Sequence, residues 1–516
     1  MVRMEADSMD ILINRESKTP IYLQIKKQIE NMITLGKLPA NFILPAERTL
    51  SEKLHVNRST VIKAYMELKA EGLVESRVGS GTVVLAPLSK DSKQEKMYIP
   101  PLRWSQLESK RVNKSNELTI NSILSVFEKG KVISFASGVS SEDTYELELV
   151  KKLQNQLIDK YKEKVFMPTP VDGCLELKGT IKSYLQENGI NASTKQIMVT
   201  SGSQQAIEFF AKLLIEAGDV VLVEEPTYIG AIQAFESYDA RLIGIPMDED
   251  GIRLDILESC LIKYRPKFIY TQPDFHNPTG MTMSLKRRKE LLKLAYYYNI
   301  PILEDNPYGE LYFSGHPLPS LKSLDSNDYV VYLSSFSKTI SFSLRVGYVV
   351  ASENIINRFI KFKQITDIQT NTHSQYFIHE FVSQGHLSPH LDMIRSKYKK
   401  KRDLMISELN KCDIEGIKIF IPNGGYFVWL RLPNNIRMNE LIKDIGEQGV
   451  IVMPGDVFYP QLNIPDNYLR LNYSYPKEGD IREGVSKLIS GIKKCSKNVN
   501  KVKYSMETEI NINPFL

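Results

Sequence analysis

From Ile133 onward, short apolar segments alternate with amphipathic helical patterns, and this alternation limits the possible folds more than any other feature of the chain. The clearest apolar segments are 197–200, 220–223, 267–270, 302–303 and 330–333. Buried strands separated by helices are typical of a mostly parallel sheet, because each parallel connection must cross over the sheet. We therefore predict an α/β domain over residues 131–495, with helices on both faces of its sheet.

The first 85 residues have a different pattern. A helix is predicted after Thr19-Pro20, and its apolar side chains fall on one face until Gly36 ends it: Ile21, Ile25, Ile29, Met32 and Ile33. Two further helices are predicted, one around 50–54 and one after 55–57. Two short strands follow, one before and one after residues 79–81. A helix, a helix-turn-helix and a hairpin form a winged helix-turn-helix, which we assign to residues 11–85.

The remaining segments are polar. Residues 86–130 are rich in Lys, Ser, Asn and Gln and are interpreted as a linker, and residues 496–516 as a polar C-terminal tail. With 516 residues, the chain is too long for one hydrophobic core, so we expect a multidomain protein. The chain contains no run of 18 apolar residues, so no membrane span is predicted. The four scattered cysteines suit a reducing cytoplasm and predict no metal site.

Four segments within residues 11–85 resemble the GntR-type winged helix: 44–48, 56–61, 71–74 and 79–82. The resemblance implies DNA contacts from Arg48, Arg58 and Gly79. A recognition helix also needs donors at the end that enters the major groove, and Asn57, Arg58, Ser59 and Thr60 lie there. This part of the chain is basic, with 11 Lys or Arg against 7 Asp or Glu. Double-stranded DNA is the predicted partner.

Simpler roles remain open for single residues of this set. Asn57 could only cap the helix, and Arg48 could only pair with Glu47 or Glu52. Gly79 could only permit a tight turn.

A second group of motifs resembles the fold-type-I, class I aminotransferases, which bind pyridoxal 5'-phosphate. They are spread in order over the α/β part of the chain: 201–205, 225–228, 277–280, 304–308, 334–339, 345 and 469–472. The resemblance implies the fold-type-I transferase fold with a smaller C-terminal α+β part. It also implies one cofactor and no metal.

The resemblance further implies a role for each matching residue. Lys338 is the lysine that forms a Schiff base with the cofactor. Asp305 faces the pyridine nitrogen and keeps the ring protonated, and Arg470 grips the α-carboxylate of an amino acid. The other matches bind the ring or the phosphate: Asn277 and Tyr308 at the phenolate oxygen, Tyr228 on the ring face, and Ser203, Gln204, Ser335 and Arg345 at the phosphate.

One position departs from the aminotransferase pattern. Such enzymes often present a tyrosine from the partner subunit to the cofactor phosphate, but residues 166–173 contain none. Tyr161 lies further back. The departure places this contact between subunits in doubt, and not the binding of the cofactor.

A winged helix, a linker and an aminotransferase-like domain together resemble the MocR (GabR-type) subgroup of GntR regulators. This implies a cytoplasmic, homodimeric, DNA-binding transcriptional regulator. It would sense an amino acid, a related amine or a vitamer by aldimine exchange at Lys338. Because the catalytic set is intact, the alternative is an active aminotransferase that carries an accessory DNA-binding domain.

Overall fold

The computed structural model describes residues 9–17, 19–77, 81–85, 102, 104, 107, 132–460 and 467–509, the last segment with side chains as far as residue 496. The chain forms two compact units, Met1–Leu107 and Glu108–Leu516. Each unit has a hydrophobic core of its own. Apart from residues 102, 104 and 107, the predicted linker lies outside the described residues.

The first unit is a three-helix domain with a two-stranded antiparallel sheet, as predicted. Its elements are α1 (Ile21–Thr34), α2 (Glu47–Lys53), α3 (Arg58–Ala70), β1 (Val74–Arg77) and β2 (Gly81–Val84). Helix α1 follows Pro20, and Gly36 just beyond its end has φ of +73°, a conformation that glycine adopts without strain. Helices α1 and α3 each bury an apolar stripe and α2 buries Leu50, and these side chains form most of the core.

The second unit contains an eight-stranded sheet in the order β4-β11-β10-β9-β8-β5-β6-β7. Its strands are β4 (Ile197–Thr200), β5 (Val220–Glu225), β6 (Arg241–Asp248), β7 (Gly251–Ile252), β8 (Ile269–Thr271), β9 (Ile302–Asp305), β10 (Val330–Ser335) and β11 (Gly347–Val350). The five central strands, from β10 to β6, are parallel, and β11 and β7 are antiparallel to their neighbours. The predicted mostly parallel sheet is confirmed.

Helices cover both faces of this sheet, since separate apolar clusters fill the space on its two sides. The helices of this part of the unit are α4 (Leu147–Tyr161), α5 (Leu175–Glu187), α6 (Ser203–Leu214), α7 (Ile229–Glu236), α8 (Leu254–Tyr264), α9 (Leu285–Tyr298), α10 (Leu321–Leu324), α11 (Glu353–Thr366), α12 (Thr372–Ser383) and α13 (Leu387–Leu409).

The C-terminal part of the second unit is a smaller α+β structure. Its elements are β12 (Lys418–Phe420), β13 (Phe427–Leu432), α14 (Met438–Glu447), β14 (Val450–Ile451), β15 (Met453–Pro454), β16 (Asn467–Asn472) and α15 (Glu478–Glu509). Strands β12, β13, β16 and β15 form an antiparallel sheet, and β14 pairs with β3 (Ile133–Ser134). Helix α15 continues through the first part of the predicted tail. Among the helices described, none is both long and apolar enough to span a bilayer.

Candidate functional site

The residues predicted to bind the cofactor come together at one edge of the large sheet. Lys338 follows β10, Asp305 ends β9, and Asn277 follows β8. Tyr228 follows β5, and Ser203 begins the helix after β4. The carboxyl ends of these strands point the same way, so loops from distant parts of the chain meet there, as is usual for ligand sites of α/β sheets.

Lys338 is enclosed within this site. Its Nζ atom donates a hydrogen bond to the backbone oxygen of Gly138 at 2.5 Å. Burial, reinforced by the nearby charges of Arg470 and Arg345, lowers the pKa of Lys338 to about 7. Near pH 7, the Lys338 amine is therefore neutral in a large fraction of the molecules, and the neutral amine is the form that attacks a carbonyl carbon.

Asp305 has one satisfied and one unsatisfied carboxylate oxygen. Its Oδ2 atom accepts hydrogen bonds from the Tyr270 hydroxyl at 2.8 Å and the Gln272 amide at 2.6 Å. Its Oδ1 atom is buried and has no hydrogen-bond partner among the described residues. Burial raises the pKa of Asp305 to about 6. A buried acceptor without a donor is costly, so this oxygen suits a ligand that brings a donor, such as a protonated pyridine nitrogen.

The opposite end of the site is arranged for an anion. Ser203 begins α6, where backbone N–H groups are free to bind a negative charge. Gly202, just before it, has φ of +87°, and a Cβ atom there would lie 2.5 Å from the Arg345 guanidinium. Arg345 donates to the backbone oxygen of Ser201 at 3.2 Å and to the Ser337 hydroxyl at 3.3 Å. Glycine is thus required for the arginine to approach the helix N-terminus.

The remaining predicted phosphate ligands already have partners in the structure. Gln204 donates through Nε2 to the backbone oxygen of Gly230 at 2.8 Å, whereas its buried Oε1 atom has no partner among the residues that the structure describes. The Ser335 hydroxyl donates to the backbone oxygen of Val346 at 3.2 Å. Ser337, beside Arg345, was not selected from the sequence, although it lies in the same motif as Lys338.

Two tyrosines border the space beside Lys338. Tyr228 precedes α7, and a Cβ atom at Gly230 would lie 2.5 Å from its ring, so glycine leaves room for the ring. Burial raises the pKa of Tyr228 to about 12 and also raises the pKa of Tyr308. Tyr308 packs edge-on against Phe427, with ring centroids 5.9 Å apart. Both phenols are therefore neutral at pH 7 and can donate hydrogen bonds.

Arg470 supplies a buried positive charge from β16. Its Nη1 atom donates to the Asn277 side-chain oxygen at 2.9 Å, and its Nη2 atom donates to the backbone oxygen of Ala136 at 2.6 Å. The guanidinium lies 4.2 Å from the Phe427 ring centroid, and its buried Nε atom has no hydrogen-bond partner in the described part of the chain. Burial lowers the pKa of Arg470 to about 10, so it remains charged at pH 7. Within the described part of the chain, no acidic side chain pairs with it, and the titratable groups that act on it are the phenols of Tyr308 and Tyr228, so the site can accept a carboxylate.

Several contributors to the site carry no motif. Tyr270 and Gln272 hold Asp305, and Tyr426 donates to the backbone oxygen of Lys338 at 2.6 Å. The segment 136–138 contributes only backbone oxygens. The sequence gives a local signal only for Gln272, which lies five residues before the motif residue Asn277.

Tyr161 is engaged within its own unit. Its hydroxyl donates to Glu380 Oε1 at 2.6 Å, and its ring centroid lies 4.3 Å from that of Tyr376. The structure thus gives Tyr161 a partner away from the predicted cofactor residues.

The predicted DNA-contacting residues lie on the surface of the first unit. Arg58 begins α3, and Ser59 is exposed next to it. Asn57 directly precedes the helix, but its side chain makes no capping hydrogen bond. Thr60 is partly exposed on the first turn. Gly79 lies outside the described residues.

Both candidate arginines face carboxylates of α2. Arg58 Nη2 lies 3.8 Å from Glu47 Oε2, and Arg48 Nε donates to Glu52 Oε1 at 3.1 Å. All four side chains are substantially exposed, so these pairs are weak and the arginines can leave them for another anion.

Comparison with known proteins identifies both parts of the chain. Residues 130–488 match the family model described as aminotransferase class I and II, and residues 21–84 match the model for bacterial regulatory proteins of the gntR family. The chain is 31% identical to the uncharacterized HTH-type transcriptional regulator YisV of Bacillus subtilis, with 92% of this chain and 96% of the relative covered.

Proteins named as aminotransferases, and not as regulators, are similar to this chain as well. Aromatic-amino-acid aminotransferase 1 of Thermococcus litoralis is 35% identical and covers 78% of this chain and 97% of itself. A Pyrococcus horikoshii kynurenine aminotransferase, solved in complex with PMP, is 35% identical with a TM-score of 0.72 and covers 76% of this chain and 98% of its own. Both predicted resemblances are confirmed.

Proposed function

The chain belongs to the class I and II aminotransferase family and carries a gntR-family DNA-binding domain, and from this we propose that it is a transcriptional regulator controlled by an amino acid or a related amine. Pyridoxal 5'-phosphate is the cofactor of its second domain. Double-stranded DNA in the cytoplasm is the partner of the first domain. We also propose a homodimer, because two winged helices can bind two half-sites.

The site has residues that fit three parts of the cofactor: the pyridine nitrogen, the face of the ring and the phosphate. Asp305 Oδ1 would accept from the pyridine nitrogen, and Tyr228 would cover the ring. The N-terminus of α6 and Arg345 would bind the phosphate. When bound, the cofactor supplies a carbonyl carbon open to amines and a protonated ring that withdraws electrons.

Lys338 and Arg470 give the site its selectivity for amino acids. Lys338 would hold the cofactor through Nζ, and the amine of an effector would compete with Nζ for that position. Arg470 binds the carboxylate of the same effector, with Asn277 and the Ala136 carbonyl fixing the orientation of the guanidinium. Displaced Lys338 can take up a proton at Nζ, because its pKa is close to 7.

The observation that carries the proposal is the buried Arg470 with no acidic partner among the described residues, on the same chain as an exposed recognition helix. A regulator needs a ligand site and a DNA site whose occupancies are coupled. An effector changes DNA affinity only by its different affinity for the DNA-bound and free conformations.

Operator binding by the full-length protein with its cofactor tests this proposal. Affinity is measured at one stated salt concentration with a panel of amino acids, amines without a carboxylate and cofactor vitamers. We expect one class of amino acid to change operator affinity, and matched amines without the carboxylate to be much weaker. Operator affinity that no member of the panel changes would contradict the proposal.

A second function is supported by one specific observation. The residues that the resemblance assigns to transamination are all present, namely Lys338, Asp305, Asn277, Tyr308 and Arg470, and the chain is 35% identical to a named aminotransferase. Mixing the protein with an amino acid and a 2-oxo acid separates the two functions. Many turnovers per site would favour an aminotransferase with an accessory DNA-binding domain, and a spectral change that stops at one equivalent would favour the regulator.

A further inference from the structure

The outward face of α3 carries two exposed apolar side chains among polar ones. Helix α3 buries Val61, Ala64, Tyr65 and Leu68 on the opposite side. Ile62 is 36% exposed and Met66 is 66% exposed. They are four residues apart and therefore lie on the same side of the helix. Arg58, four residues before Ile62, is on this side as well.

Exposed apolar side chains are common on surfaces, but their position on a recognition helix gives them a specific partner. In the major groove, the methyl group of thymine is the apolar feature that a protein can read, and apolar side chains contact it. Two cations lie on the same side of the helix as Ile62: Arg58 one turn before it, and Lys69 in the last turn. The face thus combines charges for phosphates with an apolar spot for a base edge.

Position along the helix distinguishes the two apolar residues. Recognition helices contact base edges with their N-terminal residues. With a rise of about 1.5 Å per residue, Ile62 lies roughly 6 Å beyond Arg58 along the axis, and Met66 lies roughly 12 Å beyond it. Since base pairs are spaced about 3.4 Å apart, Ile62 is one to two base pairs from the position of Arg58.

We propose that Ile62 is a specificity-determining residue of the DNA-binding domain and that it contacts the 5-methyl group of a thymine in each operator half-site. The proposal rests on the DNA-binding function proposed above. It goes further by naming thymine as the base that is preferred next to the Arg58 contact. Met66 lies too far along the helix for this role and serves as the matched control.

The test begins with an operator selected from random DNA by the full-length protein with its cofactor. Each thymine of the operator is then replaced singly by uracil, which removes only the methyl group. We expect one thymine per half-site at which uracil weakens wild-type binding by about fourfold, the effect of losing the burial of one methyl group. Ile62→Ala should abolish that thymine-to-uracil difference, and Met66→Ala should retain it.

The outcomes separate this inference from the proposed function. Failure to select any operator would contradict the DNA-binding function itself. A selected operator that tolerates uracil at every thymine, or a thymine preference that persists in Ile62→Ala, would overturn the role of Ile62 alone. Ile62 is part of the exposed face, so its replacement by alanine, a better helix former, should leave the fold intact.

Discussion

The two units present their candidate residues in opposite ways. In the first unit, Arg48 and Arg58 are exposed and pair weakly with carboxylates of α2. In the second unit, Lys338, Asp305 and Arg470 are buried, and burial shifts the pKa of each. Reading DNA requires charges that reach a large external partner, whereas covalent chemistry on an amine requires a desolvated site that makes a lysine reactive. The two functions therefore respond to different perturbations.

The largest effect is expected from removing the covalent anchor. Lys338→Ala should abolish the visible absorbance of the lysine-bound cofactor, because it removes the amine that forms the bond. Lys338→Arg, which keeps a long basic side chain but cannot form the bond, should behave in the same way. An absorbance spectrum that either variant leaves unchanged would show that the cofactor is attached elsewhere. Because the candidate DNA-contacting residues belong to the other unit, we expect both variants to bind DNA without the attached cofactor.

The next effect concerns the buried arginine. Arg470→Gln should raise the dissociation constant of an amino-acid effector roughly 10- to 150-fold, which corresponds to about 1.5–3 kcal/mol for a charge-assisted hydrogen bond. Cofactor absorbance should remain. The exposed Arg437, paired with Glu440, provides the matched control, and Arg437→Gln should not change effector affinity. Equal affinity of the wild type for amines with and without a carboxylate would remove the role of Arg470.

An exposed arginine should act on DNA alone. Arg58→Ala should weaken operator binding by about 1–3 kcal/mol if Arg58 contacts a base edge. Lys69→Ala removes the same charge from the last turn of α3 and should have a much smaller effect. Fluorescence anisotropy with labelled operator measures both variants. Equal losses in the two would indicate that Arg58 contributes only general charge.

These residues also indicate how far the sequence could predict the molecule. The strands and the motif residues were predictable, because apolar runs and motifs such as 304–308 are local. The hydrogen bonds from Tyr270 and Gln272 to Asp305 were not predicted, because they depend on β8 lying beside β9. Strand order is a property of the whole sheet. The same holds for the contact of Arg470 with Asn277, which joins residues far apart in sequence.

The depressed pKa of Lys338 predicts a pH dependence that the surface residues do not share. The amine reacts when neutral, so the rate at which the apoprotein attaches its cofactor should increase as the pH rises through about 7. Well below that value the rate should fall about tenfold for each pH unit. Stopped-flow absorbance measures the rate. Because Arg470 helps to lower this pKa, Arg470→Gln should move the midpoint upward. A midpoint close to that of an ordinary lysine would mean that the amine is not desolvated.

The smallest predicted effect tests whether the surface pairs restrain the DNA-binding arginines. Glu47 lies 3.8 Å from Arg58, so operator phosphates must compete with its carboxylate. Glu47→Gln should therefore strengthen operator binding by a small factor, equivalent to at most about 1 kcal/mol. The effect should fade as salt is raised, because exposed charges are screened.

A matched control distinguishes release of Arg58 from a change in net charge. Glu71 pairs with Lys26 at 2.5 Å in the same unit and does not contact the candidate arginines. Glu71→Gln removes the same charge, and should strengthen binding less than Glu47→Gln does if the pairing itself matters. In the double variant Glu47→Gln/Arg58→Ala, the gain from Glu47→Gln should disappear. Its persistence would mean that Glu47 repels the DNA directly, and the exposed pair would then have no part in setting operator affinity.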